Sequence, residues 1–518
     1  MKALRRSSTS TVNRTSSSSP ALSWIHLRSL LIFVSSPVPD RGGLKSSWSC
    51  MKRKRGLSRR YWNSLFTPDG RLRDGGIRFL RRARSTGIDP SIRSEVWPFL
   101  LGVYDLKSSD AERRAVKLKH WKEYENLRRR CRVLSNNRYH GTALVTAEAR
   151  HNPIDDTWSE DYTASIPVSL KWGSRCDEDR PVFDRTPDSS PRNSLREDHP
   201  GVIQLDAFLE ENDSSDSDFS GEVLEPIAEP VPKLPSGACL KSDAPNRTVE
   251  DFRTWQRIIR LDAIRANADW IIYSQAQVAI SQELANYYAS SIGLKDYNHL
   301  EPCVVYHAYR LVSVLEAYSV YDPEIGYCQG MSDLLSPILV VMEDDYEAFW
   351  CFVCFMRKAR QNFRLDEIGI RRQLGVVSRI IRSKDVNLYR HLEKLQAEDC
   401  LFVYRWVLVL FRREMSFEQA VALWEVVWAD QAAIREGIGR LACGRVTLRA
   451  APNDDLLLYA IAACVLQRRK MFTERHSGVE EIIRECNDMA GKLDVWRLLD
   501  DAHDLVASLH DKIKLSLF

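Results

Sequence analysis

The segment Tyr327-Cys328-Gln329-Gly330-Met331-Ser332-Asp333 joins two apolar helical stretches and places a side-chain amide beside a glycine. Gly330 permits a sharp backbone bend, and we expect Ser332 or Asp333 to cap the helix that follows. Upstream, the segment Ile258-Ile-Arg-Leu-Asp-Ala-Ile-Arg265 predicts a helix. On it, a carboxylate and a guanidinium three residues apart share one face.

After residue 248, apolar residues recur with the spacing of 3.6 residues that is typical of helices. The predicted helices are Glu250–Ala268, Ala276–Tyr288, Pro302–Tyr318, Ser332–Met342, Tyr346–Phe363, Gln373–Arg382, Val386–Gln396, Ala397–Phe411, Phe417–Val427, Asp454–Lys470 and Leu493–Leu509. Gly, Pro or Asp-Asn breaks separate most of them. Strand-like alternation is essentially absent, so the predicted fold class is all-α.

The sequence pattern also predicts helices in the N-terminal part of the domain. A helical pattern that begins at Ile77 ends at Gly87, and Asp89 followed by Pro90 predicts a new helix start. On that next helix Arg93 and Trp97 lie four residues apart and therefore on the same side. A highly charged helix is expected to follow, to about residue 132.

A long acidic insertion interrupts the helical pattern over 138–246. Within it, Glu210–Pro230 contains eight acidic residues and no basic ones. Such a composition cannot bury enough apolar surface to offset chain entropy. Because loop closure becomes only slowly more costly with length, we expect a disordered insertion inside one domain that spans 60–510.

Residues 1–59 predict a disordered tail rich in serine and basic residues. Residues 1–39 contain no Asp or Glu, a composition shared by organelle transit peptides, so both interpretations stay open. The six basic residues within 52–60 are consistent with a nuclear signal, a contact with anionic lipid, or a solvated flank. No segment reaches the roughly 20 apolar residues needed to span a bilayer, so membrane association is expected to be indirect or peripheral.

Overall composition argues against several functional classes. The net charge of +4 over 518 residues is too small for a dedicated nucleic-acid binder, although the basic stretches 52–60 and 113–132 keep that reading as a minor alternative. The 12 cysteines are scattered through apolar segments. Cys351 and Cys354 have the spacing of metal ligands, but they lie in an apolar run and are predicted to pack in the core. No metal site is expected.

The chain also lacks a glycine-rich phosphate-binding loop and the common hydrolase motifs. If it is an enzyme, it is expected to complete the active site of another protein. Arg265 supplies a permanently charged, forked donor, and Gln329 supplies an amide that both donates and accepts. Taken singly, Asp262 and Arg265 also fit a surface ion pair of about 0.5 kcal/mol, and Gln329 fits a backbone hydrogen-bond partner.

Three patterns in this order resemble the TBC-domain family, the GTPase-activating proteins for Rab GTPases. The patterns are Arg93-x-x-x-Trp97, Ile259-x-x-Asp262-x-x-Arg265 and Tyr327-x-Gln329. The resemblance implies a multi-helix TBC-type domain in which Arg265 and Gln329 are the catalytic dual fingers. The residues that it implies as support are Asp262, Tyr327, Gly330, Asp333, Arg93 and Trp97. One departure is Ala266-Asn267, where many members have Thr-Asp.

The resemblance further implies a Rab-family GTPase as partner, a cytoplasmic location peripheral to endomembranes, and no cofactor in this chain. GTP and Mg²⁺ would belong to the partner. The alternative that the sequence leaves open is a non-catalytic helical scaffold that binds a Rab or another partner, which would need neither Arg265 nor Gln329.

Overall fold

A computed structural model describes residues 56–136, 244–438, 450–475 and 478–515, which fall within one structural unit. The expected tail lies outside these ranges as far as residue 55, and the expected insertion lies outside them over 138–243. Residues 244–246 are the exception, because they already belong to a helix that begins at Ala244.

Eighteen α-helices are assigned in these ranges. They are α1 (Arg59–Ser64), α2 (Ile77–Thr86), α3 (Arg93–Leu101), α4 (Asp110–Asn136), α5 (Ala244–Ile264), α6 (Gln275–Val278), α7 (Gln282–Ser291), α8 (Pro302–Tyr321), α9 (Met331–Val341), α10 (Asp345–Ala359), α11 (Ile368–Lys384), α12 (Val386–Lys394), α13 (Tyr404–Leu408), α14 (Phe417–Arg435), α15 (Leu456–Gln467), α16 (Arg469–Arg475), α17 (Val479–Asp488) and α18 (Val495–Leu515). Short 3₁₀ turns occupy Pro90–Ile92, Ile271–Tyr273, Arg360–Phe363 and Leu401–Val403.

Helix α8 is the centre of the first half of the domain. Pro302 occupies its first turn, where its missing N–H costs nothing. Most of α8 is buried, because α4, α5, α7, α9 and α10 all pack around it. The ends of α5 and α9, which carry the two segments of interest, are therefore anchored on the same central helix.

Helix α14 is the centre of the second half of the domain. It is apolar on nearly all sides, as expected for a buried helix, and it contacts α2, α3, α15 and α18. Trp428 packs edge-on against Trp97 of α3 at 5.2 Å and against Phe355 of α10 at 5.5 Å. These aromatic contacts join α3, α10 and α14 into one core.

The predicted all-α class is confirmed. Within the described ranges, extended pairing is limited to two isolated bridges, Leu57 with Ile88 and Phe66 with Leu72. Because Leu57 is fully buried, the packed structure includes residues that precede the expected boundary at 60. Asp89 caps the turn that begins at Pro90, as predicted, by accepting the Ser91 N–H.

Several predicted helices are divided in the structure. The expected helix 397–411 is replaced by a 3₁₀ turn and the short α13, because Cys400, Leu410 and Phe411 adopt φ values of 58°, 49° and 62°. Left-handed residues of this kind do not continue a right-handed helix. The expected helix 276–288 is divided where Ser281 caps α7. Helix α17 was not predicted.

The cysteine interpretation agrees with the structure. All eight described cysteines are free, and seven of them are buried, including Cys351 and Cys354. No cluster of potential metal ligands occurs among the described residues. In the same ranges, no helix is both long enough and apolar enough to cross a membrane.

Candidate functional site

Arg265 follows directly after the last residue of α5. Its side chain is 55% exposed, and its guanidinium folds back onto the end of the helix. Nε donates to the Leu261 carbonyl at 3.0 Å, and Nη2 donates to Asp262 Oδ1 at 2.8 Å. Because a guanidinium carries five N–H donors, these two bonds leave three donors available at an exposed surface.

Asp262 connects Arg265 to the Gln329 segment. Its side chain is only 7% exposed, and its second oxygen accepts a hydrogen bond of 2.8 Å from the hydroxyl of buried Tyr327. Burial raises the pKa of Asp262, whereas the bonds from Tyr327 and Arg265 oppose that rise. A carboxylate that is buried and doubly bonded differs from one half of an ordinary surface ion pair.

The turn before Tyr327 is fixed by a close helix contact. Gly326 has φ 60° and donates its N–H to the Asp322 carbonyl at 2.8 Å. A Cβ at this position would lie 2.2 Å from the ring of Trp255 on α5, so only glycine lets the turn approach α5 this closely. Arg360 holds the other side of the turn through two bonds of 3.0 Å to the Asp322 carboxylate.

Gln329 lies between the buried Tyr327 and the start of α9. Its side chain is half-buried, and its amide makes no hydrogen bond within the described part of the chain. The following residue, Gly330, has φ 102°, and a Cβ there would lie 3.1 Å from Val409 Cγ1. The backbone that carries the amide is therefore confined on both sides, while the amide itself stays uncommitted.

The expectation that Ser332 or Asp333 caps α9 is wrong, because Gly330 is the N-cap residue and no side chain caps the helix. Asp333 instead forms a two-pronged ion pair with Arg413, whose Nε and Nη2 lie 3.1 and 2.8 Å from its two oxygens. This pair attaches the start of α9 to the segment that follows α13. Asp333 thus fixes the start of α9 through this ion pair and not through helix capping.

Arg412, the neighbour of Arg413, holds the loop after Arg265. Its Nη1 donates to Asp269 at 3.1 Å. Asn267 also helps to fold this loop, because its side chain accepts the Asp269 N–H at 3.1 Å. The departure at Ala266-Asn267 therefore keeps a polar contact in the loop. Sequence reasoning missed Arg412 and Asp269, and the adjacent arginines after Phe411 were the available signal.

Arg93 and Trp97 meet at a different place. Both donate to Oε1 of Glu425 on α14, at 2.8 and 2.9 Å, and Arg93 also bonds both oxygens of Glu418. Burial raises the pKa of Glu425 to about 7, against the opposing effects of Arg93 and Trp97. These bonds attach α3 to α14, and none of them reaches Arg265 or Gln329. The two residues expected to support the site therefore stabilise the helical framework.

The chain is similar to known GTPase-activating proteins. The sequence matches the Rab-GTPase-TBC domain over residues 294–447, a span that contains Gln329 and begins after Arg265. It is 52% identical over 502 residues to Rab GTPase-activating protein 22 of Arabidopsis thaliana, covering 95% of this chain and 88% of that protein. It is 23% identical over 470 residues to GTPase-activating protein gyp7 of Schizosaccharomyces pombe, covering 90% of this chain and 44% of that protein.

Among solved structures, the Ypt/Rab-GAP domain of Gyp1p matches with a TM-score of 0.33 and 15% identity, over 52% of this chain and 84% of that chain. The extended similarity to the plant protein defines the class as a GTPase-activating protein. The chain belongs to the TBC-domain family of Rab GTPase-activating proteins.

Proposed function

We propose that this chain accelerates GTP hydrolysis by a Rab-family GTPase, with Arg265 and Gln329 as the two catalytic side chains. The observation that carries the proposal is the Asp262 carboxylate, which accepts bonds from both Arg265 and Tyr327. One buried group thereby links the arginine segment to the glutamine segment. A scaffold that only bound its partner would need no such link.

Arg265 would neutralise charge that develops on the transferred phosphoryl group. Its three uncommitted N–H donors can fork across phosphate oxygens, and its charge persists at every physiological pH. Asp262 would hold the guanidinium in place through Nη2 while the remaining donors face the nucleotide. An arginine supplied in this way contributes on the order of 10³ to 10⁵ in rate.

Gln329 would orient the attacking water. An amide both donates and accepts hydrogen bonds, so it can hold a water and direct its lone pair at the phosphorus. The lack of a described protein partner for this amide is consistent with that role. GTP and Mg²⁺ would belong to the partner GTPase, and this chain would supply only side chains to the shared site.

We also propose that the chain acts in the cytoplasm at the surface of endomembranes, where it shortens the GTP-bound state of a Rab that directs vesicle traffic.

Single-turnover GTP hydrolysis against a panel of Rab proteins tests the proposed activity. With the Rab that responds best, we expect Arg265→Ala and Gln329→Ala each to remove most of the stimulation while the circular dichroism stays helical. Arg265→Lys should also lose most of it, because an ammonium cannot fork across two oxygens. Arg129→Ala, which changes an exposed arginine of α4, is the matched control and should retain full activity.

The scaffold alternative predicts that the unaltered protein binds a Rab without stimulating hydrolysis. Stimulation that survives in both Arg265→Ala and Gln329→Ala would contradict the catalytic assignment. Rab binding without stimulation by the unaltered protein would favour the scaffold.

A further inference from the structure

Two large apolar side chains are exposed where the chain passes from the Arg360–Phe363 turn into α11, one on the connecting loop and one on the first residue of α11. Leu365 is 87% exposed and Ile368 is 67% exposed, the two highest values among the exposed Leu, Ile and Val residues that the structure describes. Single exposed apolar residues are common. Leu365 and Ile368, which are three positions apart beside a proposed active site, form a small surface that we name the apolar pair.

The loop that carries the apolar pair is well ordered by its own hydrogen bonds. Glu367 donates its N–H to the Arg364 carbonyl at 3.2 Å, and the Asp366 carboxylate accepts the Ile368 N–H at 3.1 Å. Glu367 adopts φ 56°, a conformation that is unfavourable for a side chain with a Cβ. The apolar pair is thus presented on a fixed backbone and not on a free tip.

This loop is attached to the turn that leads to Gln329. Arg364 Nη1 donates to Glu324 at 2.6 Å, and Arg360 Nη2 donates to the same carboxylate at 3.0 Å. The Cys328 thiol also approaches the Phe363 carbonyl at 3.3 Å. These three contacts connect the Arg360–Phe363 turn, and Arg364 directly after it, to residues 324–328, which precede the proposed catalytic amide.

A partner that delivers its γ-phosphate to Gln329 must cover the surface next to that residue. In small GTPases the elements around the γ-phosphate are the switch segments, which are ordered by the phosphate and released after hydrolysis. We infer that Leu365 and Ile368 bind an apolar part of a switch segment of the GTPase. The inference rests on the proposed function, and it adds a contact that recognises the GTP-bound partner.

The apolar pair would act in binding and not in chemistry. Contacts made equally in the ground state and the transition state lower KM without raising kcat. Removing them should therefore raise KM while the rate at saturation stays the same. This signature separates the apolar pair from Arg265 and Gln329, whose loss should reduce kcat.

The test uses the full chain with the Rab that responds best in the panel. For the double substitution Leu365→Ser with Ile368→Ser, we expect KM to rise about tenfold, which corresponds to ~1.4 kcal/mol, with kcat within twofold of the unaltered protein. Leu365→Met with Ile368→Val keeps the apolar surface and should restore the original KM. Leu118→Ser, at a position 55% exposed on α4, is the matched control and should leave KM unchanged.

A second measurement addresses the switch segment directly. Binding of the catalytically silent Arg265→Ala protein to the same Rab, loaded with a non-hydrolysable GTP analogue or with GDP, should favour the GTP form. Adding the two serine substitutions should weaken that preference.

Three outcomes would overturn the inference. One is an unchanged KM in the serine variant of a protein that does stimulate hydrolysis, which would leave the proposed function intact. Another is a loss of kcat alone. The third is a change of oligomeric state in size-exclusion chromatography upon serine substitution, which would assign the apolar pair to a second copy of this chain.

Discussion

The Tyr327 hydroxyl donates a hydrogen bond of 2.8 Å to Asp262 across 65 residues of sequence. The same carboxylate accepts a bond from Arg265. A tyrosine that follows a tight turn is thereby connected to the side chain at the end of a helix. Because Asp262 is buried, these two donors fix the orientation of its carboxylate. Loss of one donor is therefore expected to change how the carboxylate holds the other.

Tyr327→Phe removes one donor from this shared carboxylate and keeps the ring. We expect a loss of about 1–2 kcal/mol in the free energy of unfolding, because a buried acceptor loses its partner. We also expect a lower kcat with little change in KM, since Asp262 would hold Arg265 less firmly. Chemical denaturation and single-turnover kinetics measure the two effects.

Tyr321→Phe is the control for the Tyr327 substitution, because it deletes the hydroxyl of an exposed tyrosine on α8. It should leave both stability and kcat unchanged. Equal effects of the two substitutions would show that the Asp262 bond has no special role.

The two segments that define the site were predictable from sequence, but the contacts that position them were not. The spacing of Asp262 and Arg265 predicted a shared helical face, and Arg265 does bond Asp262. In contrast, the Arg413 bond to Asp333 crosses 80 residues. Many carboxylates along the chain were equally plausible partners, and local spacing has no information about which one packs nearby.

Helical periodicity was reliable where tertiary packing agreed with it. It predicted α8 and α14, whose apolar surfaces are buried. It failed at Cys400 and Leu410, which are left-handed although their residue types allow a helix. Only contacts with the rest of the molecule compensate such backbone conformations. The same argument explains why the fixed loop that carries Leu365 could not be anticipated.

Gly330→Ala should affect both stability and catalysis. The positive φ is unfavourable for alanine, and the new Cβ would press against Val409 Cγ1. We expect a loss of ~1–3 kcal/mol in the free energy of unfolding and a lower kcat, because Gln329 is attached to the displaced backbone. Thermal or chemical denaturation and GTP hydrolysis provide the measurements.

Gly375→Ala is the matched control for Gly330→Ala. Gly375 lies within α11, and an added Cβ would come no closer than 3.8 Å to another residue's side chain. Alanine should therefore stabilise this helix by roughly 0.5–1 kcal/mol without altering kcat. A stable and fully active Gly330→Ala protein would contradict the assigned role of the turn.

Arg93→Ala tests whether the first motif is structural. The substitution leaves buried Glu425 without the cation that it contacts at 2.8 Å. Removing one member of a buried pair costs roughly 3–5 kcal/mol, so we expect a large drop in the denaturation midpoint. Because Arg93 does not contact Arg265 or Gln329, kcat per folded molecule should be preserved. A loss of kcat in a fully folded sample would instead place Arg93 in the catalytic site.

Glu425 should also give the domain a specific pH dependence. Burial raises the pKa of its carboxyl from 4.5 to about 7 in the folded protein, with Arg93 opposing the shift. The folded state therefore binds a proton more tightly than the unfolded state. The resulting stabilisation is fully present below pH 4.5 and is lost as the pH rises to about 7.

Glu425→Gln isolates this effect, because glutamine does not titrate. The free energy of unfolding of the unaltered protein minus that of the variant should fall by ~3 kcal/mol between these pH limits, at 1.36 kcal/mol per pKa unit. Well above about pH 7, the difference in the free energy of unfolding should no longer change with pH. Asp430, whose pKa burial raises to about 6, is present in both proteins and its contribution cancels. Urea denaturation at a series of pH values measures the difference, and a difference that does not vary with pH would show that Arg93 holds Glu425 at its ordinary pKa.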